Sequence, residues 1–500
     1  MDIQKKLAEF YAHQSKLSAY YHAMGILYYD GATTAPKKTA ENRAHTLAIL
    51  SEEIYKMSTA PEVVELIMSL RAVSDSLSPK DARSVYLAAK GIEEMQKIPM
   101  EEYVYYQELT VKADDVWHTA KETNDFALFC PVLTEIFEYQ KKFASYISPD
   151  KHPYNHCLDQ YESDLTMDKC DEFFALLKSN IVPLIKEIGD ATQIDDSCLF
   201  GDFPEAEQKA FSLYLMETMG IDLGVCGLGT TEHPFTTSLG SHKDVRITTN
   251  FDENNFASSM FSVIHEGGHA LYDMNSADEF AYTNLDGGVS MGIHESQSRF
   301  YENILGRSYP FIEYIFPKMQ EFFAPKLDKY TAEDVYRAIN LVTPSLIRTE
   351  ADEVNYCLHV MIRYEIEKQV MSGDLEVKDI PAKWNALYRE YLGVDVPDDT
   401  HGCLQDSHWS GGGIGYFPSY ALGSAYGAHL LAKMKETVDV DACLASGNLA
   451  PINEWNRERI WKIGASKKSN EVLAGALGEE FDPMYYVKYL EEKYSKIYNI

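Results

Sequence analysis

The chain has 500 residues, 45% of them hydrophobic, and a formal net charge of −32. That much apolar sequence supports a large core, while so acidic a surface, with no basic stripe to offset it, excludes nucleic acid as a partner. Eight cysteines are scattered without a CxxC pair, the pattern of free thiols in a reducing compartment and so of a cytoplasmic protein.

The opening segment, MDIQKKLAEFYAHQ, spreads charge along its length and has no apolar centre, so it does not read as a secretory signal. Leu7, Phe10, Tyr11, Leu17, Tyr20, Tyr21, Met24 and Leu27 form a helical stripe. The same periodicity predicts helices over 37–57, 61–72, 80–97, 99–122, 126–147, 168–190 and 204–219. It predicts further helices over 331–341, 349–372, 380–393 and 484–498, with the breaks at Pro and Gly. Strand-like sequence is confined mainly to 229–250 and 280–294. In the first, TTSLGSHKDVRITTNF predicts a hairpin turning at Gly240-Ser241; in the second, NLDGGVSMGIHE predicts a turn at Asp286-Gly287-Gly288 and then an extended run. Ser410 to Ala432 contains no Asp, Glu, Lys or Arg, but Gly411, Gly412, Gly413, Gly415 and Pro418 predict a buried loop rather than a membrane helix. With no repeat and no long linker, residues 1–500 read as one mainly α-helical domain with a small sheet near its middle.

Within SSMFSVIHEGGHALYDM lies His265-Glu266-Gly267-Gly268-His269. Two histidines four apart on a helix point the same way and can grip one metal ion, and the Glu beside the first can take a proton from water there. Gly267 and Gly268 are poor helix formers, so a close approach of backbone or substrate must justify them. A second pair, His152 and His156, has the same spacing but no Glu, and Pro153 argues for a structural loop. A third ligand is required. The continuation with Gly and His three and six residues after the second His is absent, since Tyr272 and Asn275 stand there. Glu295, in Gly292-Ile293-His294-Glu295-Ser296, is the natural candidate; His294 is the alternative ligand, and the other reading of Glu295 is that it only complements a helix terminus. Asp273 is placed to orient a ligand imidazole or simply to face solvent.

These motifs resemble the carboxypeptidase Taq family, also called thermostable carboxypeptidase 1. HEGGH followed by HESQS carries the resemblance first. His233-Pro234-Phe235 is similar to that family's HPF, Asp244 to Thr248 to its DxRxT, Ile347 to Asp352 to its IRxxAD, and Gly402 to Trp409 to its GxxQDxHW. Tyr29-Asp30 with Pro36 and Arg43 is similar to an N-terminal WD…P…R pattern, with Tyr29 in place of Trp, and NEWNRERIWKIGA and YLEEKYSKIY resemble the closing helices. The resemblance covers almost the whole chain. It implies a saddle-like helical gluzincin body with a deep groove, a small antiparallel sheet beside it, and commonly a homodimer. It further implies removal of single C-terminal residues from peptide substrates with broad tolerance, with zinc as the metal and cobalt a possible substitute.

Spacing alone supports metal-assisted hydrolysis with His265, His269 and Glu295 as ligands and Glu266 as general base. An exopeptidase must also read a free carboxylate, which a guanidinium does best. Arg348 is the first candidate, unless it merely pairs with Asp352 on a helix surface; Arg246 in the hairpin is the second, and the DxRxT resemblance implies that this hairpin closes one end of the groove. His408 and His233 are candidate substrate or oxyanion donors, each of which could equally be a packed histidine. Tyr416 and Tyr420 could supply a phenol, chosen from 34 tyrosines. Two other functions fit parts of the pattern: an oligopeptidase cutting internal bonds, and a helical scaffold that has lost catalysis, although all four central residues are present.

Overall fold

Apolar residues recurring three and four apart build helices that each bury one stripe, and in this computed structural model, which describes residues 2–500, they account for most of the chain. The amino-terminal part runs α1 (Ile3–Thr33), α2 (Ala40–Thr59), α3 (Pro61–Arg71), α4 (Pro79–Lys97), α5 (Met100–Thr123), α6 (Phe126–Ile147), α7 (Pro153–Tyr161), α8 (Met167–Asp190) and α9 (Glu205–Met219). Proline at the first turn opens α3, α4 and α7, where its missing N–H costs nothing. Pro153 therefore starts a helix instead of marking a loop; His152 caps that helix and His156 is buried within it.

Three short strands follow, β1 (Cys226–Thr230), β2 (Thr236–Ser238) and β3 (Val245–Thr249). The predicted hairpin forms: β2 and β3 pair antiparallel, with Thr236 opposite Ile247 and Ser238 opposite Val245. Gly240 takes φ +73 in the turn, a conformation other residues adopt only at a cost. The sheet is mixed rather than purely antiparallel. The free edge of β3 receives β1, arriving from α9 in the same direction, so the order is β1-β3-β2 with a parallel outer pair.

The rest runs α10 (Phe256–Met274), α11 (Met291–Arg299), α12 (Tyr309–Phe322), α13 (Ala332–Ile339), α14 (Tyr356–Ser372), α15 (Ile380–Leu392), α16 (Pro418–Met434), α17 (Val440–Ser446), α18 (Ala450–Arg459), α19 (Ser469–Leu477) and α20 (Met484–Tyr498). A π-helical turn, Phe300–Leu305, continues α11. Three expectations are corrected here. Residues 280–294 hold no strand: Gly287 turns at φ +89, and Ser290 then caps α11 by accepting from the Ile293 amide at 3.2 Å. The uncharged segment from Ser410 is a loop only as far as Phe417; from Pro418 it is the buried helix α16, apolar on all sides because it is covered on all sides. The helix expected from 349 starts at Tyr356, because the Asp352 carboxylate takes the Thr343, Val354 and Asn355 amides and holds an irregular entry. No helix among the described residues is long and apolar enough to cross a membrane.

Most helices from α5 onward share one core, while Leu7, Phe10, Ile67, Leu70, Val85 and Ala89 form a separate small core joining α1, α3 and α4. Helix α1 reaches from that small core across the hairpin. Ser18 donates to the Gly240 carbonyl, and Tyr28 and Tyr29 set ring edges against Phe235 at 6.1 and 6.2 Å.

Glycines set the spacing of the central helices. A Cβ on Gly268 of α10 would lie 2.7 Å from the Gln297 carbonyl oxygen and 2.7 Å from Ser298 Cα. One on Gly423 of α16 would strike Glu295 and lie 2.9 Å from the Ser296 nitrogen. Glu367 on α14 fixes the loop leading into α16. Its carboxylate accepts from Tyr154 Oη (2.8 Å), Trp409 Nε1 (2.8 Å) and the Gly415 amide (2.9 Å). Burial, only partly offset by these donors, pushes its pKa up from 4.5 to about 7.

Two outcomes follow from these contacts. In Gly268→Ala the helix gains about 1 kcal/mol of propensity but meets backbone that cannot turn aside, an overpacking cost of about 1–3 kcal/mol; the urea midpoint therefore falls. For Glu367, the folded state holds the proton more tightly than the unfolded chain. Its contribution is complete below pH 4.5 and lost as pH rises through about 7. Thermal melts across that window should slope downward, and Glu367→Gln should flatten the slope.

Candidate metal centre

Helix α10 begins at Asn255, whose side chain accepts from the Ala257 amide, and its apolar face buries Phe261, Ile264 and Leu271. That fixes the helix rotation and puts His265 and His269 on the side facing α11. One ligand-capable atom from each of His265, His269 and Glu295 lies within 4.8 Å of the others. The Nε2 atoms of His265 and His269 stand 3.9 and 3.8 Å from the two oxygens of Glu295. Glu295 is mid-helix and almost wholly buried, not at the terminus it might have complemented. Gly268 and Gly423 make the approach possible by letting α10 and α16 close on either side of α11.

Both imidazoles are held from behind. His265 Nδ1 donates to Glu302 Oε2 at 2.8 Å, from the π-helical turn. His269 Nδ1 meets His294 Nδ1 at 3.0 Å, and His294 Nε2 lies 3.1 Å from Asp273; Asp273 accepts in turn from Ser238 Oγ at 2.7 Å. With His294 donating to Asp273 and accepting from His269, both Nε2 lone pairs are left facing Glu295. Gly288 lies directly under the His294 ring, where any side chain would collide.

The electrostatics favour a cation. Burial, then the neighbouring His265 and Arg299 charges, hold His269 well below its ordinary pKa and keep it neutral. Burial also opposes charge on His265, but Glu302, Glu266 and Glu295 outweigh it and raise its pKa. A site whose carboxylates draw a proton onto His265 is a site that draws positive charge generally. Burial likewise opposes the Glu302 carboxylate, and Arg299, His265 and Arg307 overcome it and keep it ionised. Two imidazole nitrogens and a carboxylate are a donor set that fits a divalent ion of the zinc type.

Glu266 is buried beside His265. Thr236 Oγ1, on β2, donates to its Oε2 at 2.6 Å, so the hairpin holds the carboxylate. Burial, countered by His265 and Thr236, raises its pKa.

The remaining candidates separate into a packed group around Arg348 and two more exposed side chains, His233 and Arg246. Arg348 sits on a turn ahead of α14 and does not pair with Asp352. Its Nε and Nη2 donate to Asp406 Oδ1 at 3.0 and 2.7 Å and its Nη1 to Tyr356 Oη at 3.0 Å. Its guanidinium carbon stands 4.8 Å from the Tyr420 ring centre. His408 Nε2 is 3.1 Å from Tyr420 Oη, while its Nδ1 is buried without a partner. Burial pushes the His408 pKa down to about 4, so the ring is neutral. Tyr416 packs against both His408 and Tyr420. Tyr420 lies on α16 one turn before Gly423, whose close approach to Glu295 brings this group toward the His265–His269–Glu295 cluster. His233 is exposed between β1 and β2. Arg246 lies on β3, pairs with Asp244 at 2.8 Å and covers Gly227.

Sequence reasoning did not find Glu302, Arg299, Tyr356 or Asp406. A Glu seven residues after Glu295, on the same helical face, was the available signal for the first.

A model of the carboxypeptidase Taq (M32) metallopeptidases matches residues 9–494. The chain is 41% identical to carboxypeptidase 1 of Bacillus subtilis over 500 residues, all of both chains. The M32 carboxypeptidase of Deinococcus radiodurans superposes with a TM-score of 0.96 at 32% identity, covering 99% of this chain and 100% of that one. Metallocarboxypeptidase 1 of Trypanosoma cruzi does so at 0.92 and 34% identity, covering 98% and 99%. Matched end to end in sequence and in fold, the chain belongs to the carboxypeptidase Taq (M32) family of metallopeptidases and is a metal-dependent peptide hydrolase.

Proposed function

We propose that the protein removes single C-terminal residues from peptides with broad side-chain tolerance, using His265, His269 and Glu295 to hold zinc, for which cobalt can substitute. The observation that supports this most is the cluster itself: two Nε2 atoms facing one buried carboxylate, each ring clamped from behind. When bound, the cation supplies Lewis acidity toward a carbonyl and lowers the pKa of water. Glu266, held by Thr236, takes the proton from the attacking water and delivers it to the leaving amine. Its raised pKa brings the carboxylate closer to the range in which a base both accepts and returns a proton. Tyr420, with His408 beside it at 3.1 Å, is proposed to donate to the developing oxyanion.

Arg348 is proposed to read the terminal carboxylate. Three of its five N–H groups are committed to Asp406 and Tyr356, leaving two. Holding it from one edge pre-organises the other, so less rotamer entropy is lost on binding. His233 and Arg246 are proposed to contact the peptide upstream. The whole chain is proposed to act as one catalytic unit, as a homodimer, in the cytoplasm. The shared core from Tyr106 to Tyr498 supports the first of these, and the eight free cysteines support the last.

The test is product analysis on a blocked dipeptide and a longer peptide, as isolated, after chelation, and with zinc or cobalt restored. Stepwise loss of C-terminal residues, abolished by chelation, is expected; internal fragments would overturn the reading. Glu266→Gln should retain metal and lose about 10²–10⁴-fold in kcat. Arg348→Lys keeps the charge but not the planar fork, and should raise KM about ten-fold or more with metal content unchanged. A loss confined to kcat would place Arg348 elsewhere in the reaction.

A further inference from the structure

Arg299 closes α11 at the junction with the π-helical turn, and its side chain is mostly buried. On one side its Nη1 donates to Glu302 Oε2 at 3.3 Å, the same oxygen that accepts from His265 Nδ1 at 2.8 Å. On the other side its guanidinium carbon lies 3.7 Å from the centre of the Tyr356 ring, a stacking distance at which cation and π-face attract. Tyr356 Oη accepts from Arg348 Nη1 at 3.0 Å. The contacts therefore run without a gap from His265 through Glu302, Arg299 and Tyr356 to Arg348. Neither neighbour is redundant: Arg307 reaches only the other Glu302 oxygen, at 3.5 Å, and among the described residues no other cation stacks on the buried Tyr356.

We propose that Arg299 is a positioning residue that ties the metal-holding and carboxylate-reading halves of the site together. Its edge fixes the Glu302 carboxylate that orients His265, and its face fixes the ring whose phenol oxygen steadies Arg348. Arg299 touches neither substrate nor the reacting atoms. Its geometry asks for a planar, permanently charged group, which is why lysine does not replace it: an ammonium can satisfy Glu302 but cannot present a face to Tyr356 at the same time. The inference rests on the proposed roles of His265 and Arg348.

The experiment uses the full-length protein and four variants, Arg299→Lys, Tyr356→Phe, the double variant and His265→Asn. Zn2+ affinity is measured by competition with a chelator, and KM and kcat on a blocked dipeptide. Arg299→Lys should weaken Zn2+ by about ten-fold, the scale of losing an outer partner of a ligand, and raise KM several-fold. Tyr356→Phe should raise KM while leaving Zn2+ affinity within two-fold. In the double variant KM should rise no further than in Arg299→Lys alone, since both act through the same ring. Zn2+ affinity unchanged in Arg299→Lys, or KM effects that multiply, would overturn the proposal. His265→Asn separates the two levels. If it abolishes Zn2+ binding while Arg299→Lys is silent, only this inference fails; if it leaves Zn2+ binding intact, the reading of the centre fails and this inference with it. Circular dichroism of each variant guards against loss of fold.

Discussion

Everything near the centre answers to one constraint: ionised groups taken out of water must find opposite charge or aligned donors, at a cost of several kcal/mol for each one that does not. Glu266 and Glu295 are buried and Glu302 is mostly so, within the same few turns as His265 and His269. Three carboxylates in one desolvated volume repel one another. Arg299 and Arg307 compensate Glu302, Ser298 gives Glu295 a hydrogen bond at 3.0 Å, and Thr236 serves Glu266. Positive charge is still wanted between Glu295 and the two imidazoles, and a divalent cation at that point would relieve the repulsion. Stability and metal affinity are therefore two expressions of one electrostatic arrangement.

The same constraint dictates the packing. Pairing over 3–4 Å needs helices closer together than side chains ordinarily allow, and Gly268, Gly423 and Gly427 along the faces of α11 permit it. A glycine inside a helix costs about 1 kcal/mol relative to alanine, a sum recovered where the approach puts a buried carboxylate among its partners. The π-helical turn belongs to this arrangement. Its altered register follows the ligand-bearing helix immediately and sets Glu302 against His265, at the kind of position where such turns gather in functional sites.

What was legible in the sequence depended on how local the physics was. The spacing of His265 and His269 is a property of five residues, and the hairpin at Gly240 is a property of a dozen; both could be read directly. Helix α16 was misread as a loop because a helix covered on every side has no polar face and hence no amphipathic period, and because its glycines serve contacts with α11, more than a hundred residues earlier. The run from Gly288 resembled a strand because two glycines and a few apolar residues carry too little pattern to show that they exist to admit the His294 ring. Pro153 has the look of a breaker in the sequence but sits at the first turn, where a helix tolerates it best. The alternative pairing of Arg348 with Asp352 rested on helical spacing, but no α-helix exists there to make the spacing meaningful, and the carboxylate it does meet lies 58 residues away. Asp273 did prove to stand behind an imidazole, though that of His294 rather than of His265 or His269.

The small core under α1 has a consequence for how the molecule moves. It gathers six fully buried side chains, whereas the rest of the protein shares a far larger continuous interior. Regions with few buried apolar contacts open locally at lower free energy than the interior they lean on. Helix α1 extends from that weaker unit and rests on the turn of the hairpin, whose Thr236 holds Glu266. The cluster thus belongs to the larger interior, while the helix over its hairpin leans on the smaller one. Amide exchange along α1 would outpace that along α10 and α11, and breathing of the small unit can loosen the cover of the hairpin without disturbing the helices that carry the site's charges.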